Sequence, residues 1–196
     1  MTCLDTSCSL QELSAFLSQN RPPLLRNALG SVQPLQSATA TLALESPQDD
    51  AAILALLDHA FGPGRFTKVS ERVRELAQAA PDLSYCAWRE GRLVGSVRQS
   101  RARVGGSPVV FLGPLAVHEA ERLGGLGGRL VEAACDAAMA AGEACVLLVG
   151  DEPYFKRFGF FAAPAAGVTL PGPVDQRRVL ARLLKPGELA GAVASY

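Results

Sequence analysis

Several features that would assign a function class are scarce or missing in this sequence. The chain has 196 residues, with a single Trp, two His and five Cys. No Cys-x-x-Cys pair occurs and the two His lack the spacing of metal ligands, so we expect no zinc site and no other metal. The odd number of Cys predicts free thiols and a cytoplasmic location rather than a disulfide framework.

An excess of charge of one sign is also missing. Lys and Arg total 19, Asp and Glu total 19, and the isoelectric point is near 6.7. A balanced chain of this kind is not expected to bind nucleic acid or an anionic membrane surface broadly. No apolar run approaches the roughly 20 residues of a membrane span, and the first residues lack the pattern of a signal peptide. We therefore expect no nucleic-acid partner and no membrane partner.

The composition changes near residue 38. Residues 1–38 are rich in Pro, Ser, Gln and Asn, which predicts a poorly ordered N-terminal tail. One short helix is expected in it, because Ser9 and Glu12 have the spacing of a capping box. Residues 39–196 are long enough for one domain with a sizeable core.

Hydrophobic periodicity predicts the order of elements in that domain. The order is a strand, two helices, three strands, a glycine-rich loop with a helix, a strand, a short helix and two last strands. The first helix should begin at Ser46 with Pro47, and the second should cover 67–80. The third of the three strands, 109–117, contains Gly113-Pro114. Proline has no N–H for the ladder, so a bulge or a break in pairing is expected there.

The most informative stretch is ERLGGLGGRL at residues 121–130, directly before a predicted helix. Bare backbone N–H groups at a helix N-terminus form an anion site, and Arg122 and Arg129 could add charge-assisted bonds. A Walker loop needs a Lys that is absent here, and the third glycine of a dinucleotide fingerprint is missing. A nucleotide enzyme of the P-loop kind is thus disfavoured, and a simple glycine turn stays open.

The spacing R-x-x-G-x-G from Arg122 to Gly127, following FLGPLAVH and followed later by VLLVGDEPYFKRFGF, resembles the GNAT superfamily of N-acetyltransferases. Within it, the YhbS-like branch is most similar. The resemblance implies a three-layer α/β domain with a mixed, mostly antiparallel sheet flanked by helices. It also implies acetyl-CoA as co-substrate, held in a gap where strand 109–117 splays from strand 144–150.

The same resemblance implies which residues form the site. The backbone groups of Leu115 and Val117 would contact the pantetheine arm and the thioester carbonyl, with Leu115 as the catalytic backbone donor. The pyrophosphate would lie on the loop formed by Arg122, Leu123, Gly124, Gly125, Leu126, Gly127 and Gly128.

One departure from the family pattern concerns the acid that assists the leaving thiolate. In many relatives a Tyr stands four residues before the glycine that is Gly159 here, but this chain has Phe155 at that position. Phe155 can contact the coenzyme but has no proton to give. The adjacent Tyr154 is the remaining catalytic candidate, although it should point in another direction on the short helix.

Other polar residues near the expected gap have two interpretations each. Asp151 and Glu152 either act on an acceptor amine or cap the short helix at Pro153, and the pattern favours the cap. His118 is either a general base or a polar strand end, and His59 either lines an acceptor pocket or complements a helix dipole.

The acceptor is expected to be an amine of a small molecule or a peptide, in a pocket built by residues 58–70 and 168–176. An acyl-CoA-binding regulatory module with little turnover is the alternative, suggested by Phe155, and a homodimer is left open.

Overall fold

The computed structural model describes residues 39–196. The predicted N-terminal tail, its helix and its Ser9–Glu12 capping box lie outside the described residues. The chain begins with β1 (Thr41–Leu44), α1 (Asp50–Phe61), α2 (Val69–Leu76) and β2 (Gln78–Ala79). It continues with β3 (Tyr85–Arg89), β4 (Arg92–Val104), β5 (Ser107–Val117), α3 (Leu126–Ala140) and β6 (Cys145–Val149). The last elements are α4 (Glu152–Phe155), β7 (Gly167–Thr169), β8 (Val179–Leu183) and β9 (Ala190–Ala194).

These strands form one mixed sheet with the order β1-β3-β4-β5-β6-β8. All neighbours along this path are antiparallel except β5 and β6, which run parallel. The far half of the long β4 also pairs with β2 and β9, and β9 pairs in parallel with β7. The prediction of a mixed, mostly antiparallel sheet is confirmed.

Helices cover both faces of the sheet. Alternate residues of β6 point to opposite sides, as strand geometry requires. Val146 and Leu148 pack in the core beneath α3, whereas Cys145 and Leu147 pack in the core beneath α2. The buried residues Ile53, Leu56 and Leu57 of α1 pack with Cys86 and Ala116. The result is the expected three-layer α/β domain.

The start of α1 follows the predicted capping. Ser46 and Asp49 form a capping box around a 3₁₀ turn at Pro47–Asp49, and α1 follows directly. In the box, the Ser46 N–H donates to Oδ2 of Asp49 over 2.9 Å.

The second helix is shorter than predicted. α2 ends at Leu76 rather than at residue 80, and Gln78 and Ala79 pair with Arg101 and Ser100 of β4. The residue before a proline avoids helical φ/ψ, so Pro81 already disfavoured a helix up to residue 80. Pairing with β4 then stabilises the extended chain.

The last strand, β9, was not predicted. Its sequence AGAVA consists mostly of Ala and Gly, which are depleted in strands. It forms because it pairs on both sides, with Arg103 and Val104 of β4 and with β7. Tertiary pairing here overrides local propensity.

Candidate active site

A cleft opens where β5 and β6 separate. The two strands pair only at Val110 with Val146 and at Phe111 with Leu147, although β5 continues to Val117. The cleft has a volume of about 570 Å³ and is bordered by the ends of both strands, by the segment between α1 and α2, and by the loop before β8. This is the predicted gap, with the two predicted acceptor segments beside it.

A bulge in β5 bends the strand at the mouth of the cleft. Val97 of β4 pairs with Leu115, whereas Gln99 pairs with Leu112. Gly113 and Pro114, joined by a cis peptide bond, therefore stand opposite one residue of β4. The irregularity predicted from the missing proline N–H is confirmed.

The register of β4 and β5 fixes where the backbone groups beyond the bulge point. The His118 N–H donates to the Val94 carbonyl over 2.9 Å. Hydrogen-bonded and non-hydrogen-bonded pairs alternate in an antiparallel ladder, so Leu115 and Val117 occupy non-hydrogen-bonded positions. Their N–H and C=O groups are turned away from β4, toward the side where β6 has separated.

The glycine-rich loop leads into α3 without a side-chain cap. A 3₁₀ turn, Glu119–Gly124, is followed by Gly125 in the left-handed region at φ 71°, and α3 begins at Leu126. No side chain among residues 39–196 caps the N-terminus of α3. Side chains at Gly124 and Gly125 would meet nothing within 4 Å. The loop before α3 is therefore open at Gly124 and Gly125, and no side chain competes for the first N–H groups of the helix, as an anion site needs.

The other residues of the loop differ in what they can offer. Leu123 is fully exposed, whereas the Leu126 side chain is buried in the core, so Leu126 can contribute only backbone. Gly127 and Gly128 face aromatic side chains: an added Cβ would lie 3.2 Å from the Tyr154 hydroxyl and 3.1 Å from Cζ of Phe158, respectively.

The two predicted arginines of the loop differ in their contacts. Arg122 is exposed, and its Nε lies 3.4 Å from the Val117 carbonyl oxygen. Arg129 donates through Nη2 to the Ala40 carbonyl over 3.0 Å. This side chain helps to hold the chain leading into β1, and its predicted contact with a phosphate stays a prediction.

Tyr154 and Phe155 face different parts of the site, as predicted. The Tyr154 hydroxyl lies beside Gly127 of the loop, and the Arg157 guanidinium lies 4.2 Å from the centre of its ring. Phe155 borders the cleft. Its ring is nearly perpendicular to that of Tyr154, at 81° with the centres 4.9 Å apart. A catalytic role for Tyr154 stays a prediction.

The favoured interpretation of Asp151 and Glu152 as caps needs correction. Asp151 occupies the N-cap position of α4, but its side chain makes no capping hydrogen bond. Its Oδ1 lies 3.2 Å from Nε of Arg178 at the edge of the cleft. Glu152 instead accepts from the Ala162 N–H over 3.0 Å.

The two His lie together near the end of β5. Their rings stack with centres 5.4 Å apart and an angle of 11° between the planes. Nδ1 of His118 accepts from the Ala120 N–H over 3.4 Å, which caps the 3₁₀ turn before α3. Neither ring borders the cleft, which favours structural roles for both.

The side of the cleft formed by the segment between α1 and α2 and by the loop before β8 contains residues that no motif indicated. Arg65 and Lys68 border it, together with Asp175 and Arg178 from the loop before β8. The sequence predicted that residues 58–70 and 168–176 would border the cleft. It could not predict that Arg65 is buried there, because this burial depends on tertiary packing.

Within residues 39–196, no group of three or more His, Cys, Asp and Glu side chains could hold a metal ion. In the same residues, no helix is long and apolar enough to cross a membrane.

Comparison with known proteins decides the family. Residues 51–160, which carry the bulged strand, the glycine loop and α4, match the model of the acetyltransferase (GNAT) family. The chain belongs to this family. It is 33% identical over 134 residues to YjhQ of Escherichia coli K12, covering 65% of this chain and 71% of that protein. It is 34% identical over 124 residues to YhbS of the same strain, covering 60% of this chain and 71% of that protein. Both relatives are described as uncharacterized N-acetyltransferases.

Solved structures of the family agree with this fold. The crystal structure of E. coli YhbS in complex with CoA aligns with a TM-score of 0.67 at 28% identity, covering 81% of this chain and 90% of YhbS. A GNAT-family acetyltransferase from Brucella melitensis in complex with acetyl-CoA aligns with a TM-score of 0.61 at 25% identity, covering 80% and 96%. This GNAT protein is an acyltransferase whose co-substrate is acetyl-CoA.

Proposed function

We propose that this GNAT protein transfers the acetyl group of acetyl-CoA to an amine of a small molecule or a peptide by direct attack. The observation that carries the proposal is the cleft between the ends of β5 and β6. It has outward-facing backbone of β5 on one side and two loops with charged side chains on the other.

The residues present fit acetyl-CoA. The uncapped N-terminus of α3 and the open positions at Gly124 and Gly125 leave room for a pyrophosphate, with Arg122 beside it. The N–H and C=O groups of Leu115 and Val117 are oriented to pair with the amides of a pantetheine arm. In this assignment, Leu115 donates its N–H to the thioester oxygen. One well-placed donor of this kind contributes about 2.7–4 kcal/mol to transition-state stabilisation.

The reaction forms a bond between the amine nitrogen and the acetyl carbon and breaks the bond from that carbon to sulfur. The amine must first lose a proton, because an amine of pKa about 10.4 is mostly charged at neutral pH. Asp151 borders the cleft and can hold the ammonium form before water takes the proton. Phe155 has no proton to give, so the thiolate, whose pKa is comparable to the roughly 8.5 of a Cys thiol, leaves without strong acid assistance. The second proton, which the attacking nitrogen loses as it becomes an amide, passes to this thiolate or to water.

The cytoplasmic location predicted from the sequence is part of this proposal. Free thiols and balanced charge support a cytoplasmic enzyme. The division of the chain near residue 38 and the oligomeric state stay predictions.

A screen of amines with acetyl-CoA tests the proposal, with acetylated products detected by mass spectrometry and free CoA by a thiol reagent. We expect product from at least one class of amine and a raised melting temperature with acetyl-CoA. A folded protein that acetyl-CoA stabilises, but that acetylates no amine, would favour the acyl-CoA-binding regulatory module instead.

A further inference from the structure

Arg65 is a buried cation in the wall of the cleft. It belongs to the 3₁₀ turn Pro63–Thr67 between α1 and α2, and only 6% of its surface is exposed. Its Nε donates to Oδ1 of Asp58 over 2.8 Å, and its guanidinium carbon lies 4.1 Å from the centre of the Phe66 ring. These two contacts fix the guanidinium in one orientation, so little further conformational entropy is lost when it binds a ligand.

The terminal nitrogens of Arg65 are not used within the fold. A guanidinium has five N–H donors, and the bond to Asp58 uses the one on Nε. Among residues 39–196, neither Nη of Arg65 has a hydrogen-bond partner, neither is completely buried, and the residue borders the cleft. A planar pair of donors held in place matches the two oxygens of a carboxylate.

The six charged residues that border the cleft sum to zero, but counting their ion-pair partners Asp58, Arg74 and Arg177 as well leaves one cation in excess. Each carboxylate that borders it is paired with an arginine: Glu71 with Arg74, Asp151 with Arg178, and Asp175 with Arg177. Lys68 also borders the cleft and forms no ion pair within residues 39–196. Its ammonium lies 4.5 Å from the centre of the Phe61 ring. Arg65 and Lys68 are three positions apart in the chain. They therefore offer free donors and one unbalanced positive charge where the segment between α1 and α2 borders the cleft.

We propose that the acceptor is an amine that also carries a carboxylate, and that Arg65 and Lys68 bind this carboxylate. This assignment rests on the proposed function and names its substrate class: free amino acids, other amino carboxylates, or peptides whose carboxylate reaches this end of the cleft. The single excess charge matches a monoanionic carboxylate better than a dianionic phosphate monoester. Asp151, which follows β6 and pairs with Arg178, borders the same cleft and can contact the amine of such an acceptor.

Matched pairs of acceptors test this assignment. Each α-, β-, γ- and ε-amino acid is compared with its carboxamide at saturating acetyl-CoA, by the ratio of the two kcat/KM values. We expect the wild-type protein to prefer the carboxylate by about tenfold to a hundredfold, the range for hydrogen bonds between charged groups. Arg65→Met should bring the ratio close to one, and Lys68→Met should lower it in part.

Two controls separate this subsite from the coenzyme site and from general damage. Arg72→Met removes an exposed cation of α2 that does not border the cleft, and it should leave the ratio unchanged. Acetyl-CoA affinity should be the same in all variants. If Arg65→Met does not fold because Asp58 loses its partner, Arg65→Lys keeps the charge but removes the planar pair of donors, so the ratio should fall without reaching one.

A binding experiment makes the result independent of turnover. Calorimetry with CoA present compares N-acetyl amino acids with their carboxamides, so the subsite is tested even if no amine is acetylated. Stronger binding of the carboxylates that is lost in Arg65→Met supports the assignment. Equal affinities in the wild-type protein, a preference that survives in Arg65→Met, or a preference for phosphorylated amines over carboxylated ones would overturn it.

Discussion

Adding a carboxylate at Gly124 should weaken acetyl-CoA binding without weakening the fold. Gly124 ends the 3₁₀ turn before α3, its backbone lies outside the left-handed region, and an added Cβ would meet nothing within 4 Å. An acidic group near a helix N-terminus stabilises the helix by about 0.3–1 kcal/mol. Gly124→Asp should therefore raise or maintain the melting temperature of the free protein.

The same carboxylate would repel a pyrophosphate bound at the loop. For a separation of about 6 Å, two unit charges repel by about 0.7 kcal/mol in bulk water and by about 2.8 kcal/mol at an effective dielectric constant of about 20. The loop is exposed but not fully in water, so we expect a loss of about 1.4–2.7 kcal/mol. This loss corresponds to a Kd about tenfold to a hundredfold weaker.

Calorimetric titration with acetyl-CoA measures this effect, and Gly124→Ala is the matched control because it adds the Cβ without the charge. The difference between the two variants should shrink at 1 M salt, where the Debye length falls to about 3 Å. The assignment of the loop to the pyrophosphate fails if Gly124→Asp binds acetyl-CoA as tightly as Gly124→Ala at low salt.

Three further predictions follow from packing around the site. Gly150→Ala should destabilise the protein by about 1–3 kcal/mol in urea unfolding, because its Cβ would lie 2.4 Å from Cε2 of Phe155; an unchanged midpoint would contradict this packing. Tyr154→Phe should lower kcat less than tenfold across pH, because the hydroxyl lies at the glycine loop; a loss above a hundredfold, with loss of the alkaline limb, would identify it as the acid. Burial raises the pKa of the thiols of Cys86 and Cys145 to about 12 and that of Cys135 to about 11. Iodoacetamide at pH 8 should therefore leave these three unmodified in the native protein, as peptide mass spectrometry would show, and fast labelling of any of them would refute their burial.

Much of the fold could be predicted because its signals are local. The Ser46 cap and the bulge at Gly113-Pro114 each depend on the chemistry of a few adjacent residues. The errors arose where distant segments pair. α2 gives way to β2 because β4 is available to pair with it, and β9 forms from an Ala- and Gly-rich segment for the same reason.

By itself, the sequence determined the order of the elements other than β2 and β9, the glycine loop before α3 and the absence of a donor at Pro114. Backbone conformation and hydrogen-bonding capacity at these places are properties of neighbouring residues. Only the tertiary structure decided which partners the charged side chains found. Arg129 donates to the Ala40 carbonyl before β1, Asp151 pairs with Arg178 instead of capping α4, and Arg65 is buried in the cleft wall. Each of these contacts joins a side chain to a group that is distant in the sequence or depends on burial. Tertiary packing, and not a local sequence pattern, therefore determines them.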